Sequence, residues 1–324
     1  MLQLLREREF PASEIVPFAS ERSAGRELDG GLVVRPLTDE TIQGFDVAIF
    51  SAGADRSREW APKFVEAGAV VVDNSSAFRM DDDVPLVVSE VNPDALEGHK
   101  GIIANPNCST MQLMVVLKPL LDVAGIERLI VSTYQAVSGT GVKAVAELEA
   151  QTHAVLHDME PPAPEVYPHT VAFNVLGGAG NFKDGDDYTD EERKMMFETR
   201  KILAAPDIGI SVTCVRVPVR NCHSESVNVQ TREPIEPDAV RELLRFAPGV
   251  EVVDDPSTHG YPSPLSAEGR DEVFVGRIRR DPSHERALNM WVVSDNLRKG
   301  AATNAIQLAE LLVERGLVAA GARA

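Results

Sequence analysis

Cysteine is scarce in this chain of 324 residues: Cys108, Cys214 and Cys222 are the full complement. So few, and an odd number, exclude a disulfide framework and point to a reducing, cytoplasmic compartment. Long apolar runs are missing too. No stretch approaches the length of a membrane span, and the sequence is expected to carry no secretory signal. Positive charge is in deficit. The 32 Lys and Arg against 50 Asp and Glu give a formal charge of −18, which argues against nucleic acid or an anionic membrane as partner but leaves room for local basic pockets. No internal repeat and no low-complexity segment is present. The earliest glycine is Gly25, so no glycine-rich phosphate loop lies near the start.

The chain does hold apolar residues, 44% of the total, enough for two modest cores. "MLQLLRERE" reads as a charged amphipathic helix, "EIVPFAS" as a strand, and "VAIFSAG" as a buried strand ending in small residues. "PKFVEAG" reads as a short helix and "AVVVDNSS" as another buried strand; "PLVVSEVN" and "GIIANPN" continue the series. Apolar strands alternating with helices predict an α/β fold, a parallel, doubly wound sheet. The polar tails "SAG", "DNSS" and "NPNCST" fall at carboxyl ends of strands, where such sheets bind ligands. Beyond a helix from roughly Thr110 to Ala124 the pattern changes to a mixed α+β domain. It holds the strands "RLIVSTYQAV", "ISVTCVRVPVR" and "SESVNVQT", a proline-rich loop "DMEPPAPEVYPHT", and an antiparallel pair "EVFVGRIRRD" and "ALNMWVVSDN". The amphipathic helix "AATNAIQLAELLVERG" closes the chain. Residues 1–106 with 297–324 are assigned to a first domain and 107–296 to a second.

Cys108 falls at the first turn of a helix, where unpaired backbone N–H groups and the helix dipole favour a thiolate and could hold an oxyanion. The alternative is a small buried residue, the usual fate of a lone cysteine. His223, in "NCHSES", lies on a polar turn, an unusual place for a core histidine, yet six other histidines compete for an acid–base role. Arg216 interrupts an apolar strand and must reach the surface, enter a structural ion pair, or clamp an anion such as a carboxylate. Glu191 and Lys194 share a helix face, as many solvated pairs do. No metal-ligand cluster stands out.

"NPNCST", "YQAVSGTG", "DEERKMMFETRKI", "VRVPVRNCHSES" and "MWVVSDNLRKGAATNAIQLAE", in this order and spacing, resemble the aspartate-semialdehyde dehydrogenase family over essentially the whole chain, in the wording of its Gram-positive-like bacterial branch. The sister N-acetyl-glutamyl-phosphate reductases share the fold and thioester chemistry but place glycine and tyrosine around the nucleophile, where this chain has Asn107 and Ser109. The resemblance implies a Rossmann-like NADP domain and a second catalytic and dimerisation domain. It makes Cys108 the nucleophile, His223 the general acid/base, and Gln135 the residue that orients the thioester carbonyl. Arg216 would clamp the substrate α-carboxylate and Glu191 meet its α-amino group. Arg79 and Lys194 would bind phosphate, with Asn107 nearby. Ser138, Gly139 and Asn296 would contact the nicotinamide, Arg22 and Ser23 the 2′-phosphate, and Ser51, Ala52 and Gly53 the rest of the cofactor. Cys108 would attack β-aspartyl phosphate and expel phosphate, and hydride from NADPH would reduce the thioester to aspartate semialdehyde. A homodimer, or a tetramer of paired dimers, is implied.

One departure stands against the family pattern. The family opens with a strand and a glycine-rich loop that cradles the cofactor pyrophosphate, whereas "MLQLLREREFP" resembles the helix that follows that loop. Without that central strand its neighbours are expected to lose a ladder partner. Two expectations therefore stand side by side: an active dehydrogenase, or a polypeptide that keeps the second domain but does not bind NADP.

Overall fold

The computed structural model describes residues 1–318, which divide into two compact units. The first holds residues 1–89, 93–105 and those from 305 on; the second holds 90–92 and 106–304. Elements are labelled in chain order.

In the first unit, helix α1 (Leu2–Glu7) precedes β1 (Phe18–Ala19), which pairs in parallel with β4 (Arg35–Pro36). A hairpin of β2 (Glu27–Leu28) and β3 (Leu32–Val33) lies between them in sequence. A separate parallel sheet runs β5 (Val47–Phe50), β6 (Val70–Asp73), β7 (Ile102–Ala104), with helix α2 (Ala54–Glu66) as the crossover between β5 and β6. Every residue of β6 is buried, as expected for a central parallel strand covered on both faces. Val70, Val72, Val87 and Ile103 form its core with Ala305, Leu308 and Leu312 of helix α8 (Asn304–Glu314). Arg8 grips Glu310 of α8 with two parallel bonds of 2.9 and 2.6 Å.

Two predicted strands are shorter than their apolar runs suggest. "EIVPFAS" pairs only at Phe18–Ala19, because Pro17 has no N–H and contributes only its carbonyl, to Arg35. "PLVVSEVN" forms one bridge, Leu86 to Ala104; Val87 and Val88 are fully buried all the same, so the run is a core segment and not a ladder strand. Among the described residues β5 pairs only with β6, and β1 only with β4.

The second unit is built on one six-stranded sheet. Its strands are β8 (Ile126–Gln135), β9 (Gly209–Arg216), β10 (His223–Thr231), β11 (Val250–Val252), β12 (Val273–Arg280) and β13 (Ala287–Ser294). They are ordered β11-β12-β13-β10-β8-β9. The β12–β13 pair is antiparallel, as the alternation predicts, and β8 and β9 are parallel. One face is covered by apolar positions of α3 (Cys108–Ala124), α5 (Asp190–Ile202) and α6 (Pro237–Arg245). The register sets Gln135 beside Arg216 and Ser294 beside His223. Ser224 pairs with Tyr134, so the same register continued brings His223 beside Gln135. Arg216, Gln135, His223 and Ser294 thus form a row across four strands at one end of the sheet, on one face. Helices α4 (Val142–Leu156) and α7 (Pro264–Ala267) complete the unit. A π-helical turn at Arg298–Thr303, pinned by a 2.5 Å ion pair between buried Lys299 and Glu90, precedes α8.

Candidate active site

Cys108 is the first residue of α3, in its first turn as the sequence suggests, although the helix starts two residues earlier than Thr110, and Asn107 is the N-cap. Asn107 does three jobs at once. Its Oδ1 accepts the N–H groups of Ser109 (3.0 Å) and Thr110 (3.3 Å), the usual service of an N-cap side chain. Its own N–H donates to Glu198 (2.7 Å), and its Nδ2 donates to Glu191 (2.7 Å). Glu191 and Glu198 lie two turns apart on α5, so α5 grips the start of α3 by backbone and side chain together. The N–H groups of Ser109 and Thr110, expected to be open to an oxyanion, are therefore already engaged. Asn107 and its partners are buried while Cys108 remains partly exposed. All three cysteines are thiols. Burial pushes the Cys214 and Cys222 thiols far up, which leaves them un-ionised at neutral pH.

The row on the sheet lies under that helix start. Gln135 donates from Nε2 to Ser109 Oγ at 2.9 Å and, more weakly, to Glu191 at 3.4 Å. Lys194 donates to Glu191 at 3.2 Å and to Asp190 at 3.1 Å. Burial works against its ammonium, but these two carboxylates outweigh burial and hold its pKa above the ordinary lysine value. Arg216, buried in β9, donates from Nη1 to the Ala136 carbonyl at 2.6 Å, while its Nε has no partner among the described residues.

His223 is fully buried at the first position of β10, rather than on the exposed turn that its polar neighbours suggest. The Ala136 N–H donates to its Nδ1 at 3.0 Å. A backbone N–H can only donate, so Nδ1 carries the lone pair and the neutral ring keeps its proton on Nε2. Burial first, and the nearby Arg216 charge second, push its pKa well below the usual histidine value, so the ring is neutral at physiological pH. Nε2 meets no partner among the described residues. Beside it stands Gly139, where a Cβ would come within 3.1 Å of Nε2 and of Cε1.

Gly139 leaves room beside His223 for a flat ring such as the nicotinamide that the sequence reading expects there. Only a residue without a side chain leaves that flank of His223 open, and next to it Ser138 and Asn296 bond each other, Asn296 Nδ2 donating to Ser138 Oγ at 3.0 Å. Asn296 Oδ1 in turn accepts the Cys222 N–H at 2.9 Å. In the first unit, Arg22 and Ser23 lie in a short 3₁₀ turn after β1. Ser51, Ala52 and Gly53 are exposed at the carboxyl end of β5. Gly53, at φ +89°, is the N-cap of α2 without a side-chain cap, the arrangement by which a helix N-terminus receives a phosphate. Arg79 of the first unit is buried and donates to the Asn74 carbonyl at 3.2 Å. No group of side chains among the described residues could hold a metal ion.

Sequence reading missed four contributors. Glu198 looked like one acid of a charged helix. The Ala136 N–H is a backbone group and has no sequence signature. Gly300, in the π-helical turn, would place a Cβ 2.9 Å from the Cys108 Cβ, so it is the small residue that lets this turn pack against Cys108. Tyr167 lies over Arg216; its position in a proline-rich loop was the available signal.

Residues 1–99 match the family model described as "Semialdehyde dehydrogenase, NAD binding domain", and residues 117–299 match "Semialdehyde dehydrogenase, dimerisation domain". The chain is 55% identical to an aspartate-semialdehyde dehydrogenase of Aquifex aeolicus, over 98% of this chain and 95% of that protein. It is 45% identical to the enzyme of that name from Bacillus subtilis, over 98% and 94%. Among solved structures it is similar to aspartate semialdehyde dehydrogenase II of Vibrio cholerae complexed with ASA, with a TM-score of 0.90 and 46% identity over 97% of this chain and 94% of that one. It is also similar to the Candida albicans enzyme with NADP, with a TM-score of 0.73 and 26% identity over 97% and 95%.

Proposed function

The chain belongs to the aspartate-semialdehyde dehydrogenase family, and from that membership we propose that Cys108, Gln135, Arg216 and His223 carry its chemistry. It is an NADP-dependent oxidoreductase of amino-acid biosynthesis. The reaction is the reductive dephosphorylation of β-aspartyl phosphate to aspartate semialdehyde, in the aspartate-derived pathway to lysine, threonine, methionine and diaminopimelate. The observation that carries the assignment is the placement of a partly exposed Cys108 at the first position of α3, above a buried row of Arg216, Gln135 and His223.

Arg216 presents its fork to the substrate α-carboxylate. Glu191, with Asn107 and Lys194 bonded to it, offers a carboxylate to the α-amino group. Cys108, as thiolate at a helix N-terminus, attacks the acyl phosphate carbon; the C–O bond to phosphate breaks as the C–S bond forms. Arg79 and Lys194 are the cations assigned to the departing phosphate, which also takes the reaction's proton. Bound NADPH supplies the hydride that reduces the thioester. Collapse of the thiohemiacetal oxyanion returns Cys108 as thiolate, so the sulfur needs no net proton. His223, with its proton on Nε2, meets the substrate oxygen as a donor through both tetrahedral stages. This narrows the acid–base reading to its donor half.

Arg22, Ser23, Ser51, Ala52 and Gly53 are proposed for the cofactor's phosphate-bearing part, and Ser138, Gly139 and Asn296 for the nicotinamide. The first unit thus serves cofactor binding and the second catalysis and pairing. The matched dimerisation domain supports an oligomer. We assign a homodimer to the outward face of the second unit's sheet, where Tyr134 and Trp291 meet in a tilted contact with centroids 5.3 Å apart. Pairing of dimers into a tetramer is a further step of the same proposal. No helix among the described residues is long and apolar enough to cross a membrane, and a cytoplasmic setting is proposed from the three thiols.

The test is steady-state titration of each substrate in the oxidative direction. Arg216→Leu should raise KM for aspartate semialdehyde at least tenfold, and Arg79→Leu should raise KM for phosphate. Equal losses toward both substrates in both variants would refute the division of labour.

A further inference from the structure

The proline-rich loop at residues 158–170 is held in place more firmly than a connecting loop requires. Glu147 of α4 accepts the N–H groups of Glu165 and Val166, each at 2.7 Å. Gln151, one turn on and fully buried, accepts the N–H groups of Val171 at 2.9 Å and Ala172 at 3.3 Å. These clamps stand on either side of Tyr167. Val166 and Tyr167 pack on a core of Val137, Ala144, Leu148 and Val171. The Tyr167 hydroxyl donates to Thr140 Oγ1 at 3.0 Å, in the turn that carries Ser138 and Gly139. The ring so fixed has the Arg216 guanidinium carbon 5.6 Å from its centroid, within the range of a cation–π contact.

Resting on the reading of Arg216 as the carboxylate clamp, we propose that Tyr167 is a positioning residue for Arg216 and thereby a determinant of preference for aldehydes that bear an α-carboxylate. A guanidinium held at one Nη by the Ala136 carbonyl can still swing about that bond. An aromatic face over its carbon restricts the swing and keeps the remaining N–H donors aimed at one place. The loop has this role because a long arginine side chain otherwise loses much rotamer freedom when it binds a carboxylate.

The experiment compares Tyr167→Leu, Tyr167→Phe and Arg216→Leu, each with aspartate semialdehyde and with 3-aminopropanal, the same aldehyde without the carboxylate. Tyr167→Leu should raise KM for aspartate semialdehyde roughly three- to thirtyfold, with kcat and the KM values for phosphate and NADP within about twofold. Its kcat/KM for 3-aminopropanal should be unchanged. Tyr167→Phe keeps the ring and should recover most of the loss. If Tyr167→Leu weakens both aldehydes and phosphate alike, or lowers the unfolding temperature enough to account for the change, the residue is merely structural and the proposal is wrong. If Arg216→Leu abolishes the preference for the carboxylate but Tyr167→Leu leaves it intact, the proposal fails and the reading of Arg216 stands. If Arg216→Leu itself leaves that preference intact, the reading of Arg216 falls, and the proposal with it.

Discussion

At position 108 the proposed chemistry depends on contrast among three thiols. Cys214 and Cys222 are buried, with their ionisation pushed far above neutrality, whereas Cys108 is partly exposed at a helix N-terminus. Alkylation by iodoacetamide at pH 7 should therefore modify Cys108 at least tenfold faster than either of the others in the folded protein. Peptide mass spectrometry over a time course reads this directly, and equal labelling of all three would contradict an activated thiolate. The position of Cys108 was legible in "NPNCST" because polar residues before an apolar helix mark an N-terminus. His223 was legible only as a residue. Its burial and its tautomer come from a strand start and a backbone N–H, which a pattern of side chains does not record.

At the scale of the element, β10 carries two buried titratable groups two residues apart whose ionisations oppose each other. Burial and Arg216 depress His223. Burial raises the Glu225 carboxyl well above its ordinary 4.5, an effect the Gln112 amide only partly offsets. Below about pH 6.5 the unfolded chain takes up a proton at His223 that the native chain refuses, so stability falls as pH falls. Above about pH 4.5 the unfolded chain releases a proton at Glu225 that the native chain keeps, so stability falls as pH rises. Each slope approaches about 1.4 kcal/mol per pH unit, and between those limits they cancel. Urea unfolding at pH 5, 6.5 and 8 should show Glu225→Gln gaining stability over the parent, most at pH 8, and His223→Asn falling in stability from pH 5 to 6.5, where the parent stays level. Parallel profiles for parent and variants would contradict both assignments. The π-helical turn supports another expectation. Gly300→Ala puts a methyl group 2.9 Å from the Cys108 Cβ, so the turn or the start of α3 must shift; kcat/KM should drop about tenfold or more, and the unfolding temperature should fall by roughly a few degrees. In the sequence Gly300 was one of 23 glycines, and nothing local set it apart.

For the whole molecule, alternation of apolar strands and helices predicted the parallel sheet of the first unit and the mixed sheet of the second, since periodicity follows directly from burial. What it could not supply were pairings between distant segments. Asn107 meets Glu198 across 91 residues, and no local pattern encodes that contact. The outward face of the second sheet was likewise hidden, because Ile130, Ser132 and Tyr134 alternate with buried neighbours much as any half-exposed strand does. Ile130 is 37% and Tyr134 36% exposed. Charging that face with Tyr134→Arg and Trp291→Arg should convert a dimer to a folded monomer, seen as halved mass in sedimentation velocity with an unchanged circular dichroism spectrum. An unchanged mass would place the pairing surface elsewhere.

The triple role of Asn107 has a consequence for how this protein tolerates mutation. Serine caps a helix about as well as asparagine, so Asn107→Ser should leave α3 capped and the chain abundant in a cell. Its shorter side chain has no amide to reach Glu191. That carboxylate would then be free to turn toward Lys194, whose Nζ it already meets. In a library scored separately for protein level and for growth without supplied amino acids, position 107 should pass the first screen and fail the second. Folding is blind there to a difference on which the proposed chemistry depends.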